Sequence, residues 1–211
     1  MLALRGVAGF RGRGSMIADR MRANLQGFYD YFERSSIGGN WDTSGLASAS
    51  IIDGKLVTEG NTYTFDDNDD IRVGAKYTGS LGLNGDFVIE AAVEWVARNS
   101  DLARIVVDLF DSSDNALAYG GMRDDWAARS GGFACGILNE KYHSGVNTRP
   151  ASGTMVIRLE RSGSTLYIYE DGNLRLSGTM TNTVDYIVLS NGRYQKYNGK
   201  TAKWDYVTIR W

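Results

Sequence analysis

The chain has 211 residues with 26 glycines, one proline, one cysteine and a formal net charge of −2. That length suits one large all-β domain, or a somewhat smaller domain with an appendage. The near balance of charge argues against a general nucleic-acid binder, and the single Cys135 rules out an intrachain disulfide. No run approaches the roughly 18–20 apolar residues of a membrane span. Arg5 interrupts the apolar start MLALRGVAGF before a signal-peptide core can form, so a soluble product of cytoplasmic synthesis is expected.

The charge is uneven. Residues 1–24 carry five arginines against Asp19, whereas the remainder is net acidic. This predicts an arm and a body with different partners. The stretch RGVAGFRGRG has no usable period and cannot repay its own ordering entropy. It is either a frayed terminus or an anchoring arm, with Arg5, Phe10, Arg11 and Arg13 as its contacts. Ser15 then reads as the N-cap of a short helix to about Gln26, stopped by Gly27. Ile17, Met21, Leu25 and Phe28 form one apolar stripe, to be buried on the chain's own body or on a partner.

From Phe28 onward the period is two. FYDYFE opens the sheet region, and Leu46 to Ile52 pairs with Lys55 to Thr58 through Asp53-Gly54. Strands follow at Tyr63 to Phe65 and Ile71 to Tyr77, around the acidic loop Asp66 to Asp70. Asn84-Gly85 turns into a long strand, Asp86 to Ala97, with Phe87, Ile89, Ala91, Val93 and Trp95 on one side. Ala103 to Phe110 and Ala116 to Met122 make a hairpin, and Gly132 to Leu138 a shorter strand. The clearest hairpin lies in TMVIRLERSGSTLYIYEDGN, residues 154–173, where alternation is closed by Ser-Gly and Asp-Gly turns. Leu174 to Ser177, Val184 to Ser190 and Trp204 to Trp211 complete about a dozen strands, with no repeat and no second domain boundary. The expected architecture is an all-β, two-sheet antiparallel sandwich over residues 28–211, with residues 1–27 as arm and helix.

The order of DYFERSSIGGNW, IIDGKLV, DFVIEAAVEW, IVVDLFDSSDNALAYGG, VIRLERSGSTLYIYEDG, DYIVLS and WDYVTIRW resembles the concanavalin A-like lectin/glucanase jelly roll. It looks closest to the laminin-G-like and laminarinase-like branches, from about Phe28 to Trp211. Members include lectins, β-glucan hydrolases, adhesion modules and viral surface domains. The resemblance therefore implies a jelly-roll fold and leaves the activity open. The hydrolases carry Glu-x-Asp-x-x-Glu on one strand. Here the nearest stretch, Glu90-Ala-Ala-Val-Glu94, has Ala92 where the aspartate belongs, so no catalytic residue is assigned. The resemblance also implies a structural calcium between first and last strands, with Asp205 as the closing-strand acid and Glu33 as its partner.

Other chemistry is sparse. His143 is the only histidine and is read on a loop beside Tyr142. Cys135, in GGFACGIL, reads as an inert buried thiol. Sugar recognition needs aromatic faces with amide, carboxylate or guanidinium groups beside them. Two stretches provide these: Tyr119, Arg123, Trp126, Tyr142 and His143, and the polar loop 191–198 with Tyr194 and Tyr197. The expected function is a non-catalytic attachment protein of a larger assembly, a virion decoration, fibre or tail component displayed at the particle surface as a homo-oligomer. The alternatives are a free, extracellular carbohydrate-binding module and, third, a β-glucan hydrolase lacking the usual motif.

Overall fold

The structure, a computed structural model, describes residues 26–63, 73–97, 103–123, 132–143, 152–194 and 200–211. The described elements are all β-strands. In chain order they are β1 (Gly27–Asp30), β2 (Trp41–Asp42), β3 (Ser48–Ile52), β4 (Lys55–Glu59), β5 (Asn61–Tyr63), β6 (Gly74–Tyr77), β7 (Phe87–Ala97) and β8 (Ala103–Phe110). They continue as β9 (Ala116–Arg123), β10 (Gly132–Ile137), β11 (Glu140–His143), β12 (Ser152–Ser162), β13 (Thr165–Glu170), β14 (Asn173–Thr179), β15 (Tyr186–Tyr194) and β16 (Lys200–Arg210). Sheet I has the order β14-β13-β12-β7-β16-β4-β3, with β1 also on β16. Sheet II has the order β11-β10-β9-β8-β15-β6-β2, with β5 parallel to β15. The two stack as a sandwich, and no helix among the described residues is long and apolar enough to cross a membrane.

Alternation explains the core. Phe87, Ile89, Ala91, Val93 and Trp95 of β7 are all buried, as are Met155, Ile157 and Leu159 of β12 and Leu166 and Ile168 of β13. They meet Ile105, Val107 and Leu109 of β8 and Ile187 and Leu189 of β15 in one cluster around a fully buried Trp204. Gly120 of β9 sets the closest approach between the sheets, since a Cβ there would sit 2.9 Å from Ile168 of β13. A second link crosses the layers where Asn191 of β15 donates from Nδ2 to the Thr58 carbonyl of β4, at 2.8 Å. Asp53-Gly54 and Asp171-Gly172 both adopt positive φ at both positions, as two-residue hairpin turns require.

Several expectations change. Gly27 is not a helix stop but the first residue of β1, paired with Arg210, and the Gln26 carbonyl accepts the Trp211 amide. The rest of the helix, with Ile17, Met21 and Leu25, and the arm residues Arg5, Phe10, Arg11 and Arg13 lie outside the described residues. Phe28, assigned to partner binding, instead packs inside the sandwich, 4.6 Å from Tyr77 and 6.2 Å from Trp41 between ring centroids. His143 and Tyr142 are not on a loop. They belong to β11, which is joined to β10 through Leu138 in the left-handed region (φ 50°). Residues 191–194, read as a wet loop, extend β15, and Asn191 is fully buried.

The crossing from β1 to β2 is organised by Asp30, a buried carboxylate with a full set of donors. Arg34 binds it bidentately at 2.6 and 2.8 Å, Trp41 donates its indole N–H at 2.8 Å, and the Phe32 amide donates at 2.9 Å. This holds Phe32 at φ 53°, a strained value for an aromatic residue. Burial pushes the Asp30 carboxyl up, but the hydrogen bonds from Arg34, Trp41 and Phe32 outweigh it and leave the group below its ordinary value. A depressed carboxylate contributes stability that is complete above the unfolded value of about 3.9 and lost as pH falls through the folded one. Asp30→Asn is expected to cost about 2–3 kcal/mol by urea denaturation at pH 7. It is also expected to flatten the acid limb of stability below about pH 4 relative to the wild type.

Candidate functional site

The predicted sugar-binding residues come from β9, β11 and β15 and the segments that follow them. The register shows where those strands end. Arg104 pairs with Arg123, Arg123 with Gly132, Ala134 with His143, and Arg193 with Ala103. In sheet I, Ser152 and Thr201 both pair with Val96, and Lys200 pairs with Ala97. The short connection from Ala97 to Ala103 joins the two sheets at this same end. Five connections therefore start and finish there: 64–72, 98–102, 124–131, 144–151 and 195–199. The two candidate stretches, far apart in sequence, thus reach the same end of the sandwich with Arg123 on β9, His143 on β11 and Tyr194 on β15. Trp126 and Tyr197 lie outside the described residues, within two of those connections.

Two of the predicted stacking residues are not available. Tyr119 is only 7% exposed. Its ring occupies the space over Gly136, where a Cβ would approach it to 2.6 Å, and the Arg104 guanidinium lies 5.2 Å from its centroid. Tyr142 is half-buried against the main core. The physical reason is that sheet II is covered on both faces. On its outer side Val106, Asp108, Phe110, Ala134, Val188 and Ser190 are all buried, as is Arg104.

That covered face holds a charge pair which the sequence analysis did not single out. Arg104 and Asp108, i and i+4 on β8, are 1% and 3% exposed at the side chain and bond bidentately at 2.8 and 2.5 Å. The Ser190 hydroxyl of β15 donates to the same carboxylate. The signal was present in RIVVDLF, where Asp108 interrupts an apolar run. A strand apolar on both sides is one with both faces buried, so its lone acid must be partnered. Phe110 and Tyr186 stack beyond this pair at 5.0 Å, with the Lys76 ammonium 3.7 Å from the Tyr186 ring centroid.

The remaining candidates are placed as follows. Glu33 is exposed on the loop after β1. Asp205 sits at the β16 bulge, 3.7 Å from Lys55, so a lysine rather than a second carboxylate faces it. Among the described residues no three His, Cys, Asp or Glu side chains come together as a metal site. Glu90 accepts the Tyr206 hydroxyl at 3.0 Å, while Glu94 lies 3.3 Å from both Lys55 and Lys203. Four residues apart on an extended strand, the two glutamates are separated by about 13 Å, against the roughly 5–5.5 Å of a retaining glycosidase pair. Cys135 is fully buried, and desolvation pushes its thiol up to about 12.

Removing Asp108 takes the bidentate carboxylate away from a buried Arg104. Asp108→Ala is expected to cost about 3–5 kcal/mol, whereas Ser190→Ala, which removes one donor from a carboxylate still held by Arg104, should cost about 1–2 kcal/mol. Chemical denaturation of both variants checks the ranking.

No family model matches the chain, and no curated protein matches it. Solved structures do. A mutant of the GH43 protein BlXynB from Bacillus licheniformis aligns with TM-score 0.60 and 11% identity, covering 87% of this chain but 39% of its own. The CBM2 module of the evolved Dit of Lactobacillus casei BL23 phage J-1 aligns with TM-score 0.60 and 12% identity over 90% of this chain and 97% of the module. The carbohydrate recognition domain of Emp47p aligns with TM-score 0.58 and 11% identity over 88% and 96%. This chain thus spans about two-fifths of the GH43 protein and nearly the whole of the other two. Identities this low carry the fold alone. The fold is the two-sheet jelly-roll sandwich that the order of strand patterns implied.

Proposed function

We propose that this chain is a non-catalytic attachment protein whose sandwich recognises glycan at the end where five of its connections start and finish. The observation that carries the reading is the strand register, which brings Arg123 and His143 of one predicted sugar-binding stretch to the same end as Tyr194 of the other. Support comes also from Glu90 and Glu94, whose separation and partners do not suit acid and nucleophile work. Residues 1–25, with their excess of arginine, serve as the anchor to a larger assembly, and a bacteriophage particle is the setting we favour. There the sandwich stands at the virion surface, and many copies raise a weak sugar affinity to a useful one.

Binding is tested on a glycan array with the full chain and the double variant Arg123→Ala/Tyr194→Ala. The expected result is a glycan signal that falls at least about tenfold in the variant, a loss of about 1.4 kcal/mol. Deleting residues 1–25 should abolish particle association and leave both melting temperature and glycan binding intact. Release of sugars or unsaturated products from a polysaccharide, abolished by Glu90→Gln, would overturn the non-catalytic assignment. Undiminished particle association after the deletion would overturn the anchor.

A further inference from the structure

The outer face of sheet I contrasts with that of sheet II, because most of its side chains keep some solvent contact. Along β1 and the residue just past it the side chains alternate: Phe28 and Asp30 turn inward, while Tyr29 and Tyr31 turn outward and are 50% and 52% exposed. Exposed tyrosines are ordinary singly. Here their setting is specific. Gly27 lacks the Cβ that would lie 2.8 and 3.0 Å from two atoms of the Tyr29 ring, so the ring lies close against the strand while staying half exposed. Two residues further, Tyr31 lies about 7 Å along the strand, and its ring centroid is 6.0 Å from that of Tyr206 on β16. Tyr206 is fixed by its hydroxyl bond to Glu90. Tyr31 and Tyr206 thus form a short aromatic row, with Tyr29 exposed two positions before Tyr31.

The row leads into a groove. Tyr206 pairs with Ala92, and Ala92 floors a depression of about 170 Å³ rimmed by Lys55, Glu94, Thr154, Asp171 and Asp205. The charges around it are mutually engaged. Glu94 faces Lys55 and Lys203, Asp205 faces Lys55, and Asp171 accepts the Val156 amide at 2.8 Å. On the rim Lys55 stands against Glu94, Asp171 and Asp205, so the groove is net acidic, offers hydrogen-bond donors and acceptors, and disfavours an anionic ligand. Aromatic faces beside closely spaced polar groups suit a ligand with apolar ring faces and many hydroxyls.

We infer that the outer face of sheet I is a second saccharide-binding surface, in which Tyr29, Tyr31 and Tyr206 stack against an uncharged polysaccharide and the adjoining groove receives one of its sugar units. This surface is separate from the loop end proposed above.

The test is affinity electrophoresis of the full chain through native gels containing soluble β-glucan, xylan or galactomannan, with alginate as the anionic comparison. Tyr29→Ala/Tyr31→Ala is expected to weaken retardation by an uncharged polysaccharide at least about tenfold, and Tyr31→Phe, which keeps the ring, to retain it. If the double variant is destabilised, Tyr31→Ala alone, with its melting temperature checked, replaces it. Loss in Tyr29→Ala/Tyr31→Ala with retention in Arg123→Ala/Tyr194→Ala supports this surface and counts against the loop end. The reverse pattern overturns this surface and leaves the loop end standing. Absence of retardation by every polysaccharide overturns it as well. Two further results assign the face elsewhere and overturn the proposal, each with retardation unchanged. One is a fall in light-scattering mass on Tyr29→Ala/Tyr31→Ala, which makes the face a contact between copies. The other is loss of trypsin protection of residues 1–25 in that variant, which makes it the seat of the chain's own N-terminal segment.

Discussion

The bidentate pair of Arg104 and Asp108 governs how this sandwich can be used. A guanidinium and a carboxylate, each almost without solvent contact, sit in the middle of the outer face of sheet II and are completed by the Ser190 hydroxyl. Such a pair is sustained only where water stays excluded and every donor geometry is good. It therefore commits the centre of that face to structure. The hydrophobic groups beside it, Val106, Phe110 and Val188, are buried with it.

The consequence is a division among the surfaces of the molecule. Sheet II is closed on both sides at its centre. Sheet I is closed on the core side and partly exposed on the other, where Tyr29, Tyr31 and Asp205 reach solvent. The third free region is the end of the sandwich where five connections leave the strands. Recognition by a sandwich of this kind draws on loops carried by a rigid scaffold and on open sheet faces. Both are present here, and they lie in different places. The rigidity beneath them comes from the close approach at Gly120, the Asn191–Thr58 bond across the layers and the Asp30 corner.

Much of the fold was legible because its evidence is local. The alternation in residues 87–97 and 154–170, and the Asp-Gly turns at 53–54 and 171–172, state strand, face and turn within a few residues each. The errors fell where a local signal was missing or misleading. The strand β11 went unseen because Leu138 takes the left-handed turn position that glycine or asparagine normally announces. Residues 191–194 looked wet because Asn191 is polar, yet its side chain is spent on the Thr58 carbonyl. Phe28 continued a helical stripe by spacing alone, while Trp41 and Tyr77, which it packs against, are 13 and 49 residues away.

For the site, composition named aromatic and basic residues but not their surroundings. Tyr119 and Tyr31 look alike in a sequence. One is walled in by Gly136 and Arg104, and the other stands half exposed beside Tyr206, because the faces of the two sheets are covered differently. By itself, the order of residues determined that the chain makes antiparallel strands and an all-β two-layer core, since period-two burial is written into neighbouring positions. Only the tertiary structure decided which outer face keeps solvent contact, which charges are sealed and which distant strand ends share one end of the sandwich, since those outcomes depend on pairings between segments as far apart as Gly27 and Arg210.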